Sequence, residues 1–458
     1  MRDLLVITIV ATAALYALRH PWVGVMLWTW LSIMNPHRYT WGFAYDAPVA
    51  QIAAIATLVG LLATKDVRES PFKGLPPKLL AVFCVWMTAS WLFGLGPAED
   101  YAQWNKIMKV YFMVFVGLAV LHQKKHVIAL AWVCALSLGL LGVKAGIYTI
   151  TTGGGGRVWG PAGTFIADNN EFALALILVI PLLRFLQMQL INRWGKHALS
   201  VMMLLSALGS LGSQSRGALL ALAAMTLLLW WRGRSRLVGG FLIVLVGVGL
   251  IGFMPDTWSD RMGTIQTYEA DGSAMGRISA WWNAWNLAFH YPLGVGFNAA
   301  RHELFQQFSP YYKGNTHAAH SIYFQILGNH GFVGLFIYLA LWVATWRSAA
   351  WLRIHGAKEA QARWASDLGA MCQVSLMGFA VGGAFLSLSY WDLPYNIMMM
   401  VVIARVWVQT QAWKTEPLGQ SGWRALPGML GPGASPAPST GTGVSSTRHG
   451  AGLGDKAA

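Results

Sequence analysis

Apolar runs of about 15–25 residues recur along nearly the whole chain, separated by short polar stretches. A helix needs about 20 apolar residues to cross the hydrocarbon core. Only helices and closed barrels satisfy their own backbone groups there. A barrel would show alternating polarity, which this sequence lacks, so the runs predict an all-α polytopic membrane protein. The 458 residues are 55% hydrophobic and only 11% charged, with a mean hydropathy of +0.47; soluble domains carry about a quarter charged residues.

Candidate spans are 3–18, 21–34, 46–64, 78–95, 107–121, 127–150, 171–190, 197–212, 217–231, 237–254, 320–346, 368–388 and 393–411. The first two are short, and they read either as two thin spans or as one helix broken at Pro21, which gives 12 or 13 helices. The first run shows no small-residue cleavage site before Arg19-His20-Pro21, so it is expected to stay in the protein. We divide the chain into 1–150, a core at 151–411 with one large loop at 255–319, and a Gly/Pro/Ser/Thr-rich tail at 412–458. The tail has too little apolar content to fold.

The formal net charge of +15 could suggest nucleic acid. The Lys and Arg residues instead sit in short loops between spans, as topology requires, and no nucleic-acid partner is expected. Lys65, Arg68, Lys73 and Lys78 mark one such loop, Lys124 and Lys125 a second, Arg193 and Lys196 a third, Arg232, Arg234 and Arg236 a fourth, and Arg347, Arg353, Lys358 and Arg363 a fifth. Two spans separate each loop from the next, so all five fall on one side, which the positive-inside rule makes cytoplasmic. The loop 255–319 then faces outward.

Several polar residues stand at the outer ends of spans, where few basic residues are expected. Arg216 follows Gly212-Ser213-Gln214-Ser215 and opens an otherwise apolar run. A lone arginine there can snorkel to headgroups, or its planar fork can hold phosphate oxygens. Arg277 precedes an amphipathic stretch with Trp281, Trp282 and Trp285, which ends at Tyr291-Pro292-Leu293-Gly294-Val295-Gly296. The tryptophans suit an interfacial anchor or a stacking surface for substrate. His317 and His320 are three residues apart and would share a face on a helix. Neither lies in a His-Glu-x-x-His arrangement, and no metal or cofactor is expected. An unperturbed histidine titrates near about 6.5 and can act as a general base when neutral.

A fourth cluster holds Arg157, then Asp168, Asn169, Asn170 and Glu171 at the start of a span. These residues can cap a helix or contact sugar and pyrophosphate. Gly153 to Gly156 lacks the Gly-Lys-Ser/Thr of a phosphate-binding loop. Cys84, Cys134 and Cys372 all lie in apolar runs and read as free thiols.

The Ser215-Arg216-Gly217 motif, Arg277…Trp281…Pro292-Leu293-Gly294-Val295-Gly296, and His320…Gln325…Gly331…Gly334-Leu335, in this order and spacing, resemble the O-antigen ligase and polymerase superfamily of bacterial membrane glycosyltransferases. The resemblance covers about residues 150–345, and Ser321 stands where the family commonly has Asn. The stretch 163–172 is also similar to exosortase-associated O-glycosylation ligases. The resemblance implies a GT-C-like fold in the bacterial inner membrane with its active site facing the periplasm. It implies a glycan donor on undecaprenyl pyrophosphate and an inverting, metal-independent transfer to a glycan, lipid or protein acceptor. By position, Arg216 and Arg277 would hold the pyrophosphate and His320 would act as base, with Arg157, Asp168, Asn169, Asn170, Glu171, Trp281 and His317 near substrate. A polymerase would use the same donor with a lipid-linked acceptor. A flippase would place ionisable residues near mid-membrane; Lys144 lies within a span, but near its outer end.

Overall fold

In the computed structural model, residues 1–233 and 272–415 are described, with isolated positions 237, 247, 252 and 255 between them. Among these residues there are fourteen α-helices and no strand. They are α1 Arg2–Ala17, α2 Pro21–Met34, α3 Val49–Ala63, α4 Leu75–Leu92, α5 Pro97–Val120, α6 Lys124–Thr151, α7 Asn169–Gln189, α8 Arg193–Gly212 and α9 Arg216–Arg232. After the gap come α10 Gly272–His290, α11 His302–Phe308, α12 Ile322–His355, α13 Arg363–Gly382 and α14 Asp392–Gln409. The chain is an all-α polytopic membrane protein.

Twelve of the thirteen predicted runs fall on helices; the run 237–254 and the tail from 416 lie outside the described residues, apart from positions 237, 247 and 252. Among the described residues, α4, α6, α7, α12 and α13 are long and apolar enough to cross a membrane on length and composition alone. Helices α1, α2, α3 and α9 are shorter, at 16, 14, 15 and 17 residues. Pro21 begins a separate helix rather than kinking one: the Gly60 and Gly24 backbones approach Ala17 at the end of α1, while Asp3 at its start accepts from Gly42 N at 3.0 Å. The spans also carry more charge than Lys144, since Lys109, Arg184 and Arg405 lie within helical spans, and Lys106 stands on α5 just before one.

The core is packed by small residues where helices cross closely. A Cβ on Gly142 of α6 would stand 2.1 Å from Ser206 Oγ, one on Gly209 of α8 would stand 2.6 Å from Ala145 Cβ, and one on Gly212 would stand 2.1 Å from Thr149 Oγ1. Such contacts let two backbones approach in a setting where burial from water no longer drives association. Helices α7 and α14 are the most enclosed, with Leu174, Ile177, Leu178, Leu182 and Phe185 of α7 all fully buried.

The predicted basic loops gather at one end of the bundle. Lys124 lies over the Trp364 ring at 5.6 Å, Gln189 donates to Asp367 at 3.2 Å, Arg232 donates to Gln373 at 2.9 Å, and Glu69 N donates to Ala119 O at 2.9 Å. Arg234 and Arg236 lie outside the described residues. The opposite end carries every candidate site residue.

Helix α12 is broken at Gly331, where φ is 67° and ψ is −173°. The break releases the carbonyls of the preceding turn, and other segments fill them. Asn329 O accepts from Val295 N at 3.0 Å and Gly296 N at 3.1 Å, and His330 O accepts from Trp86 Nε1 at 2.8 Å. This explains the Pro-Leu-Gly-Val-Gly stretch: a Cβ on Gly294 would stand 2.3 Å from Asn329 O. The fully buried His330 adds side-chain bonds to Ser90 and Tyr390, each 2.8 Å. Asp100 accepts from Phe297 N at 2.7 Å and pairs with Arg301 at 3.2 Å. The connection after α10 is thereby fixed to both α5 and α12.

Candidate functional site

The site is built where α7, α9, α10 and α12 present their ends to one another. Asp168 is the N-cap of α7, its Oδ1 accepting from Asn170 N at 2.8 Å and from Asn170 Nδ2 at 2.9 Å. Burial pushes the Asp168 carboxyl up, but its interactions with the Glu171 side chain, the Asn170 donors and the His320 ring outweigh it, so the group is held below its ordinary value. The next residue, Asn169, is buried and donates to Ser213 O at 2.7 Å. That bond ties α7 to the turn between α8 and α9, where Gln214 takes a left-handed φ of 60°.

Ser215 caps α9, accepting from Ala218 N at 3.3 Å, and Arg216 opens that helix, half-buried. A Cβ on Gly217 would meet Phe385 Cβ at 3.2 Å. The Phe385 ring lies 6.4 Å from Trp281 of α10, which stacks on Phe324 of α12 at 5.0 Å with 9° between the planes. Trp281 Nε1 donates to Ala319 O at 2.7 Å, so α10 holds the strand of chain that leads into His320. Arg277 stands one turn before Trp281 on the same face. A Cβ on Gly276 would lie 3.0 Å from the His317 ring.

His320 has a left-handed backbone, with φ 41°, which non-glycine residues seldom adopt and which clusters at functional positions. Its Nδ1 lies 3.6 Å from Glu171 Oε1. The Glu171 side chain is 8% exposed and that of His320 39%. Glu171 Oε1 also lies 3.5 Å from Ser387 N, whereas Glu171 Oε2 is buried with no hydrogen-bond partner. A buried carboxylate oxygen left open beside a half-exposed imidazole is a proton-handling arrangement.

The structure therefore brings Arg216, Arg277, Trp281, Asp168, Asn169, Glu171 and His320 to one end of the bundle, at the start of α7 and α9, on α10 and in the segment before α12. Asn170 remains a local cap, bonded to Asp168 and Asn169. Arg157 lies over Trp159 at 6.0 Å, a contact within its own connecting segment. His317 is exposed. The shared helical face expected of His317 and His320 is absent, because residues 315–320 are not helical and α12 starts at Ile322, capped by Ser321. Among the described residues no group of three or more His, Cys, Asp or Glu could hold a metal ion.

Beside Arg277 a groove of about 300 Å³ is lined by Ile278, Trp281, Trp282, Trp285 and Phe324. The tryptophans thus do more than line a membrane interface: Trp281 packs inward on Phe324, while Trp282 and Trp285 remain exposed. Sequence reasoning missed Phe324, Phe385 and the pairing of Glu171 with His320. The Gly331 break was open to discovery from an isolated glycine in a helical pattern.

Residues 201–339 match the family described as O-Antigen ligase. Residues 1–191 match a family of unknown function, DUF5935. No curated protein matches the chain. The two matches do not single out the exosortase-associated subgroup.

Proposed function

We propose that this chain, whose residues 201–339 match the O-Antigen ligase family, is a membrane glycosyltransferase that transfers a glycan from undecaprenyl pyrophosphate to an acceptor hydroxyl. The observation that carries the reading is the gathering of two arginines and a carboxylate-facing histidine at the end of the bundle opposite the basic loops. By the positive-inside rule that end faces the periplasm of a bacterial inner membrane.

Arg216 and Arg277 hold the pyrophosphate and stabilise the charge that develops as it leaves. The isoprenoid chain lies in the apolar groove of Trp281, Trp282, Trp285 and Phe324. With Nδ1 of His320 turned to Glu171, Nε2 is left for the acceptor. The acceptor oxygen attacks the anomeric carbon, its proton passes to Nε2, and the bond from that carbon to the pyrophosphate oxygen breaks with inversion. Glu171 is a positioning residue: it orients the ring and stabilises the imidazolium that forms. No step uses a metal or cofactor.

Purified protein in nanodiscs, given a lipid-pyrophosphate glycan and candidate glycan, lipid and protein acceptors, tests the reading. Transfer with release of undecaprenyl pyrophosphate is the expected result. Repeated extension of a lipid-linked acceptor would make the protein a polymerase, and movement of the intact donor across the bilayer without bond cleavage would make it a flippase.

A further inference from the structure

Two ammonium groups, one on α5 and one on α6, have aromatic faces beside them but no ion-pair partner among the described residues. Lys106 of α5 has its Nζ 4.0 Å from the centroid of Phe165, and Lys144 of α6 has its Nζ 4.9 Å from the centroid of Tyr39. Both lysines are exposed, and among the described residues neither makes a hydrogen bond or an ion pair. A ring face attracts a cation but accepts none of the three N–H donors that each ammonium carries.

The two lysines belong to one cluster. Tyr39 adjoins Arg38, whose Cζ would lie 3.9 Å from a Cβ on Gly163, and Phe165 is two residues further along. Lys106 lies within the field of Arg38 and of Asp392. The local carboxylates do not close the site. Asp46 pairs with Arg38 at 3.3 Å but its side chain is 84% exposed, and Asp392 is buried beyond ion-pair distance of Lys106. Lys109 stands one turn further along α5, also exposed.

Snorkelling alone does not account for this geometry. A snorkelling lysine runs out to bulk water at a helix end. Here Tyr39 and Phe165, both from segments connecting helices at the site end, hold the ammonium groups under them. Lys144 lies within a spanning helix, where a retained charge marks a functional site by default.

The segment bearing Phe165 runs on to Asp168 and Glu171, which face His320. The cluster thus shares a connecting segment with the base while standing on different helices from Arg216 and Arg277. We propose that Arg38, Lys106 and Lys144 form an anion site that holds a carboxylate or phosphate carried by the acceptor. All three residues lie in the 1–191 segment matched to a family of unknown function, and the proposal gives that segment a task. The acceptor assignment rests on the transferase reading; the anion site itself does not.

The test is equilibrium binding to the full chain in neutral phosphatidylcholine nanodiscs, with no donor present. The probes are a trisaccharide ending in glucuronic acid, one ending in glucose 6-phosphate, and a neutral one ending in glucose. The wild type should bind an anionic probe about tenfold or more tightly than the neutral one. The Lys106→Gln/Lys144→Gln double variant should lose that preference, and Lys106→Arg/Lys144→Arg should retain most of it. Arg277→Gln should keep the preference even where turnover falls, which separates failure of this site from failure of the transferase reading. Equal preference in the wild type and the Gln double variant would overturn the proposal. A second arm measures retention of phosphatidylglycerol by native mass spectrometry from mixed nanodiscs. Lysine-dependent retention of that lipid, with no saccharide preference, would overturn the acceptor assignment in favour of a headgroup site.

Discussion

Replacing Glu171 by Gln keeps the shape of the side chain and removes its charge. In the structure that charge is centred on an oxygen 3.6 Å from His320 Nδ1. A unit-charge pair at this distance is worth about 1 kcal/mol in bulk water and about 5 kcal/mol at an effective dielectric of 20. The His320 side chain is 39% exposed, so the pair belongs in the lower part of that range, about 1–2 kcal/mol. The imidazolium that forms during transfer loses this stabilisation in the variant. Turnover should fall about tenfold, since about 1.4 kcal/mol is a factor of ten in rate. The assay is the initial rate of transfer at saturating donor. Wild-type turnover would refute the positioning role, and a variant as inactive as His320→Ala would make Glu171 the base.

Further expectations follow from the same geometry. Arg216→Ala and Arg277→Ala should each weaken donor binding by roughly 1.5–3 kcal/mol, and lysine should rescue only in part because it lacks the two-pronged contact; titration with labelled lipid-pyrophosphate glycan measures this. Gly331→Ala should lower the melting temperature by an amount equivalent to about 1–3 kcal/mol, since φ is 67° and a Cβ would stand 2.5 Å from Pro292 O. The Asp168 carboxyl is held below its ordinary value of 3.8. Its stabilising contribution is therefore complete above that pH and is lost as pH falls through the lowered folded value; the difference in melting temperature between the wild type and Asp168→Ala should shrink over that acid window. Chelator should leave transfer unchanged, and loss of activity restored by a divalent ion would contradict the metal-free mechanism.

Much of the architecture is legible in the apolar runs because bilayer thickness imposes it. The run 171–190 and helix α7, Asn169–Gln189, differ by two residues at most. Boundaries slip where polar residues are helical. Helix α5 begins at Pro97 rather than near 107, since Pro97 suits its first turn and Glu99 and Asp100 favour its N-terminus. The sequence presents those charges as loop. Helix α12 continues to His355 through Arg347 and Arg353, which read as connecting segment when basic residues are taken to mark loops. For the site, single residues were legible and their partners were not. Arg216, Arg277 and His320 stand out as charge or titratable groups at outer span ends. The approach of Glu171 to His320 depends on the α7–α13 packing that brings in Ser387 and on a left-handed backbone at residue 320, neither of which leaves a local pattern. The histidine pair was misplaced on a common helix for the same reason: Ser321 starts the helix after both of them.

The central claim is that His320 takes the acceptor proton while Arg216 and Arg277 hold the donor. Its most direct test is single-turnover transfer with donor already bound, comparing the wild type, His317→Ala and His320→Ala. The account predicts that all three bind donor alike, that His317→Ala turns over near the wild-type rate, and that His320→Ala falls about 100-fold or more, as expected for loss of a general base. Normal turnover by His320→Ala, or an inactive His317→Ala beside it, would contradict the account.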